Sequence, residues 1–241
     1  MSKKAPSPEG DAALVRALVD AVRQHLSAAA EPGRAEPMRA YMKSAMPFYG
    51  VGATAMRKAC KQAFSEHPLP DEATWRAAVL TLFRGAIHRE ERYAALELSG
   101  ARAYKKYQST ALVPMYEEMI VKGAWWDIVD VVAIHRIGPL VLTNPAEMKP
   151  KMLAWSEDAN LWKRRTAVIC QVAAKAKTDL DLLYRTIEPN LADKDFFIRK
   201  GIGWALRAYA WVDAEEIRRY VAANEGRLSG LSRREAMKNI G

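Results

Sequence analysis

The sequence predicts an all-α fold, an α-solenoid of stacked antiparallel helix pairs. Three observations carry that expectation. No segment alternates apolar and polar residues with the period of a half-buried strand. Apolar residues recur instead at spacings of three and four, in segments of about 10–15 residues joined by short links containing Pro, Gly or Asn. Trp126, Arg165 and Trp204 stand 39 residues apart, near the ~40-residue period of helical-repeat solenoids.

Residues 1–10, with Lys3, Lys4, Pro6 and Pro8, read as a flexible tail, and residues 11–241 as a single helical-repeat domain. Leu14, Leu18, Val22 and Leu26 mark the buried face of a first helix over 11–30. EPGRAEP at 31–37 ends it, and Pro37 opens the next, where its missing N–H costs little. PFYGVG at 47–52 is a loop, Thr54 an N-cap candidate for a helix to residue 66, and HPLPD at 67–71 a further break. Helices are then predicted over 72–84, 89–99, 111–121, 124–137, 146–155, 161–175, 179–187, 196–210, 213–223 and 232–239.

Composition narrows the class. The chain has 241 residues, half of them hydrophobic, which excludes a disordered polymer. No stretch approaches the ~18 apolar residues that cross a bilayer, and MSKKAPSPEGD lacks an apolar signal core, so a cytoplasmic protein with no membrane association is expected. Cys60 and Cys170 make neither a disulfide framework nor a metal site, as a reducing compartment would have it. The formal charge is 37 − 28 = +9, which favours a polyanion as partner, nucleic acid first.

The equal spacing of Trp126, Arg165 and Trp204 predicts that they line one face of the stack, as a concave basic groove; the plainer reading is repeated core positions. Asp130 follows Trp126 by four residues and shares its helix face. A carboxylate beside an indole suits a cation. Arg165 suits a phosphate, which it can grip with two parallel hydrogen bonds. The alternative for Asp130 is an ion pair on the helix surface or between helices, with Arg165 among the candidate partners. Lys163 and Arg164 begin one predicted helix beside this strip, Arg199, Lys200 and Arg207 occupy the next, and all five are candidate phosphate contacts.

Other enzyme templates find nothing. His25, His67, His88 and His135 have no metal-ligand spacing, and neither phosphate-loop pattern nor a G-x-S-x-G elbow occurs. No metal and no cofactor are expected.

At these residues the chain resembles the DNA alkylation repair glycosylases built from HEAT-like repeats, the AlkD family. The resemblance rests on PMRAYMKSAMPFYGVGATAMRK (37–58), KGAWWDIVDVVAIHRIG (122–138), NLWKRRTAVI (160–169), KDFFIRKGIGWALRAYA (194–210) and LSRREAMKNI (231–240). It implies a monomeric enzyme that hydrolyses the N-glycosidic bond of cationic N3- and N7-alkylated purines, such as 3-methyladenine and 7-methylguanine, in duplex DNA. It further implies that the lesion is not extruded into a pocket, and that the enzyme associates with the nucleoid when bound. By the same resemblance Asp130 is catalytic, Trp126 and Trp204 pack near the lesion, Arg165 contacts the backbone, and Tyr41 lies near the DNA. No Lys is evident at this site to form a Schiff base, so the activity is expected to be monofunctional. Two alternatives stand beside it: a non-catalytic HEAT-like protein that binds DNA structure, and a HEAT-like scaffold that binds peptide.

Overall fold

The computed structural model describes residues 8–240. They are helical nearly throughout, and no strand occurs among them. The predicted tail lies outside the described residues as far as residue 7; from Pro8 the chain is already helical. No helix among the described residues is long and apolar enough to cross a membrane. The chain divides into two compact units, Met1–Tyr107 and Gln108–Gly241.

The first unit holds α1 (Pro8–Ala28), α2 (Pro32–Met42), α3 (Ala53–Glu66), α4 (Glu72–Arg84) and α5 (Arg89–Ser99). Helix α1 packs on α3 and α4, and α4 packs on α5. Leu18, Val22 and Leu26 are fully buried, which is the face that their spacing predicts; Leu14 is exposed. Helix α2 begins five residues before the predicted start. Pro32 occupies its first turn, Pro37 lies inside it, and only Met42 of its residues is buried. An exposed helix tolerates the internal proline better than a buried one, because water can take up the freed Gly33 carbonyl. Thr54 is not a cap: Gly52 holds that position and Thr54 lies within α3.

The loop before α3 is fastened by a buried acid. The Glu90 carboxylate accepts the backbone N–H groups of Tyr49, Gly50 and Val51 at 2.9–3.1 Å. Gly50 has φ +84°, and a Cβ there would stand 2.2 Å from the Glu31 carbonyl oxygen, so both space and backbone require glycine.

The second unit holds α6 (Val113–Gly123), α7 (Trp126–Val132), α8 (Gly138–Thr143), α9 (Pro145–Ser156), α10 (Leu161–Ile169), α11 (Leu180–Ile187), α12 (Phe196–Ala210), α13 (Ala214–Ala223) and α14 (Gly230–Met237). These are stacked helix pairs of a helical-repeat α-solenoid. Helix α10 packs on α6, α7, α9, α11 and α12, and the core joins Ile134, Ile169, Ile198, Ile202 and Leu206.

The repeat has a shorter period than the spacing of the conspicuous residues. Helices α7, α10 and α12 begin at 126, 161 and 196, so 161 − 126 = 35 and 196 − 161 = 35. Their partners α9 and α11 begin at 145 and 180, again 180 − 145 = 35. In this register Trp126 is the first residue of its helix, Arg165 the fifth and Trp204 the ninth. The 39-residue spacing therefore does not mark equivalent positions. The fifth positions are Asp130, Arg165 and Lys200.

Two predicted helices are divided. The one predicted over 124–137 starts at Trp126, because Ala124 adopts φ +41°, and passes through a π-turn at Ala133–Ile137 into α8. Gly138 follows the π-turn, and a Cβ there would stand 2.3 Å from the Cys170 carbonyl oxygen. That approach packs the start of α8 against the end of α10. The helix predicted over 161–175 stops at Ile169. Beyond it the buried Gln171 side chain exchanges two hydrogen bonds with the Asp179 backbone, at 2.8 and 3.0 Å, and Lys175 adopts φ +54°.

Candidate nucleic-acid interface

Capping aligns the helices that carry the candidate residues. The Asn160 side chain accepts from the N–H groups of Trp162 and Lys163, starting α10. Asp195, 35 residues on, does the same for α12 through Phe197 and Ile198. Each cap is itself held, Asn160 by the Asp158 carboxylate and Asp195 by that of Asp193, both at 2.8 Å. Rings at the helix starts then pack across the repeats. The Trp162 and Phe197 centroids lie 5.1 Å apart, and Trp125 meets them at 6.1 and 5.2 Å. Such contacts contribute about 0.5–1.5 kcal/mol each beyond area burial.

Asp130 and Arg165 meet above this cluster. Arg165 Nε donates to Asp130 Oδ1 at 2.7 Å and Nη2 to Oδ2 at 2.8 Å, a parallel fork. Its Nη1 donates to the Phe197 carbonyl at 2.5 Å, tying α7, α10 and α12 together. The Arg165 side chain is only 4% exposed and that of Asp130 16%. The two parallel bonds expected to grip a phosphate thus grip Asp130, and the ion pair between helices is the arrangement present. Burial pushes the Asp130 carboxyl above the usual carboxylate range, and the Arg165 guanidinium pulls it back.

The other expected site residues are placed as follows. Trp126 is half-buried, one turn before Asp130 on α7. Trp125 joins the ring cluster, and both indoles keep some exposure. Trp204 is half-buried on α12; it packs on the core and lines a recess with Val172, Lys175, Arg207, Ala208, Trp211 and Val212. Tyr41 belongs to the first unit, on α2, and is 76% exposed.

The five candidate phosphate contacts all have protein partners. Lys163 bridges Glu117 at 2.8 Å and Asp158 at 2.5 Å. Arg164 pairs with Asp193 at 2.9 Å and donates to the carbonyls of Asp158 and Ala159. Arg199 donates to the Asp193 carbonyl, and Lys200 and Arg207 share Glu235 at 2.5 Å each. Arg164 and Arg199 are repeat equivalents that staple the loop before their helices. Four of the five meet carboxylates, Lys200 and Arg207 sharing one, and Arg199 meets a carbonyl, so these positions do not by themselves make the basic groove expected from the sequence. Sequence reasoning missed the partner acids and the Phe197 carbonyl. The signal that points to them is the 35-residue recurrence of Asn160 and Asp195 before the helices.

A stack of helix pairs that start 35 residues apart, with a carboxylate, an indole and a guanidinium grouped at those starts, defines a repeat protein with one chemically distinctive site. The comparisons then specify the class. Residues 22–240 match the family described as DNA alkylation repair enzyme, and the chain belongs to that family. It is similar to the solved structure of a predicted DNA alkylation repair enzyme from Enterococcus faecalis, at 29% identity and a TM-score of 0.78, covering 88% of this chain and 97% of that one. No curated protein matches. The protein is a DNA repair enzyme of the alkylation-damage class.

Proposed function

We propose that the chain is a monofunctional glycosylase releasing cationic N3- and N7-alkylated purines, among them 7-methylguanine and 3-methyladenine, from duplex DNA, with residues 11–241 acting as one monomeric functional domain. The observation that carries the reading is the Asp130 carboxylate: fixed by Arg165, one turn from the Trp126 indole, and with 16% of its side chain still exposed. Alkylation makes the base cationic, so the C1′–N bond breaks with its electron pair going to the base, which leaves neutral. The sugar becomes oxocarbenium-like, as in glycoside hydrolysis. Asp130 stabilises that charge and orients the water that adds to C1′. Trp126 and Trp204 contribute their ring faces to the cationic base and sugar, which remain in the DNA rather than entering a pocket. Tyr41 contacts the same DNA.

Arg165 has five N–H groups, of which the described bonds use three. Its first role is to orient Asp130, and the remaining N–H groups serve the backbone contact. Phosphate contacts by Lys163, Arg164, Arg199, Lys200 and Arg207 require exchange of their protein carboxylate or carbonyl partners for phosphate oxygens. The closed Asp130–Arg165 pair favours a second reading, a DNA-structure-binding protein in which that pair is only a helix tie.

Base release separates the two readings. Duplex DNA carrying 7-methylguanine is incubated with the protein and free base is measured. The glycosylase reading expects release by the wild type and its loss in Asp130→Asn. Binding without release supports the second reading.

A further inference from the structure

The recess that Trp204 borders has further lining residues that the reading of Asp130 leaves unused. It is open, with a volume of about 460 Å³, and lies between the end of α12 and the turn at Lys175–Lys177, which packs on that helix. Trp204, Arg207 and Trp211 follow one another at spacings of three and four, so they share a face of α12. Trp211 stands at the end of that helix with 76% of its surface exposed, and Val212 beside it is 42% exposed. So exposed an indole offers a partner both a flat apolar face and an N–H donor.

The charge of the recess is one-sided. None of its lining residues is acidic, and its two cations are Lys175 and Arg207. Arg207 pairs with Glu235, which it shares with Lys200. Lys175 is exposed, has φ +54°, and meets no carboxylate among the described ion pairs. An exposed indole beside an ammonium that meets no carboxylate matches a flat aromatic ring carrying a phosphate.

From Trp204 to Trp211 the helix rises about 10.5 Å, at ~1.5 Å per residue. One base at the ~3.4 Å stacking distance spans about a third of that rise, so a single base covers the exposed Trp211 ring and not Trp204 as well. A base inside a duplex has both faces covered by its neighbours. Only an unpaired base presents faces to indoles, and every base has such faces whatever the sequence.

We infer that this recess is a second DNA subsite, which takes one unpaired nucleobase on Trp211 and its phosphate on Lys175. It rests on the DNA-binding part of the proposed function and not on Asp130 chemistry. The subsite favours DNA in which a base near the contact has lost its partner, as beside a distorted or already excised position.

Two lesion-free duplexes test it, one fully paired and one with a single extra unpaired adenine, each labelled for fluorescence anisotropy. The wild type binds the bulged duplex about tenfold more tightly, the scale of one base–aromatic stack. Trp211→Ala binds both alike, and Trp211→Phe restores most of the preference. Lys175→Gln lowers the salt slope on the bulged duplex by about 1. A wild type without preference, or a Trp211→Ala protein that keeps it, overturns the subsite. An unchanged salt slope in Lys175→Gln removes the phosphate from it. Binding to neither duplex overturns the subsite and the proposed function together. Base release from 7-methylguanine DNA by the wild type is measured alongside. Its absence with the Trp211-dependent preference intact rejects the glycosylase and leaves the subsite standing.

Discussion

Replacing Arg165 with Met keeps much of the side-chain volume and removes the charge. It leaves Asp130, 16% exposed, without its two guanidinium bonds, and the Phe197 carbonyl without its donor. Breaking a buried pair from one side costs about 3–5 kcal/mol, because a charge remains without compensation. For a protein of this size about 2–4 °C is lost per kcal/mol, so the unfolding transition falls by about 6–20 °C. The pH dependence fixes the cause. Burial already raises the Asp130 carboxyl and Arg165 opposes that, so the variant raises it further. A group with a folded-state pKa above its unfolded value loses stability as pH rises between the two. The deficit of Arg165→Met is therefore full near about pH 8 and narrows as pH falls toward the carboxylate range. The double variant Asp130→Leu/Arg165→Met returns to within about 2 kcal/mol of wild type, since no charge is stranded. Thermal melts followed by circular dichroism at both ends of that pH range read all three proteins. A deficit below about 1 kcal/mol, or a double variant as unstable as Arg165→Met, refutes the coupling.

Three other outcomes follow from the packing. Gly138→Ala places a Cβ against the Cys170 carbonyl, so α8 must move; a loss of about 1–3 kcal/mol is expected in chemical denaturation, and a neutral change contradicts the close approach. Glu90→Ala strands the three N–H groups of residues 49–51. It costs about 3 kcal/mol or more and speeds hydrogen exchange in that loop, whereas unaltered exchange there rejects the clamp. Lys200→Ala and Arg207→Ala each lower the salt slope of DNA binding by about 1 if phosphate takes over from Glu235; slopes equal to wild type leave both as partners of Glu235 alone.

The helices were legible because burial imposes their period: Leu18, Val22 and Leu26 are spaced as a buried face and are buried. The pairing of Asp130 with Arg165 was legible only as an alternative. Residue type alone cannot say whether an Arg faces phosphate or a carboxylate 35 positions earlier. The same blindness applied to the +9 charge. Lys163, Arg164, Lys200 and Arg207 looked free, yet Glu117, Asp158, Asp193 and Glu235 reach them through folding. The spacing of Trp126 and Trp204 misled because a large side chain is conspicuous wherever it falls. The caps Asn160 and Asp195 carry the register, since a helix start is fixed by the backbone groups it must satisfy. The break of α10 at Ile169 depends on Gln171 reaching Asp179, a contact no periodic pattern records.

The central claim is that one carboxylate performs the chemistry while other groups hold the DNA. Single-turnover base release from 7-methylguanine duplex, measured with DNA affinity for wild type and Asp130→Asn, tests it most directly. The account predicts a rate at least about 100-fold lower in the variant, with affinity within about threefold of wild type. Equal rates, or a loss of rate that only follows a loss of binding, contradict it.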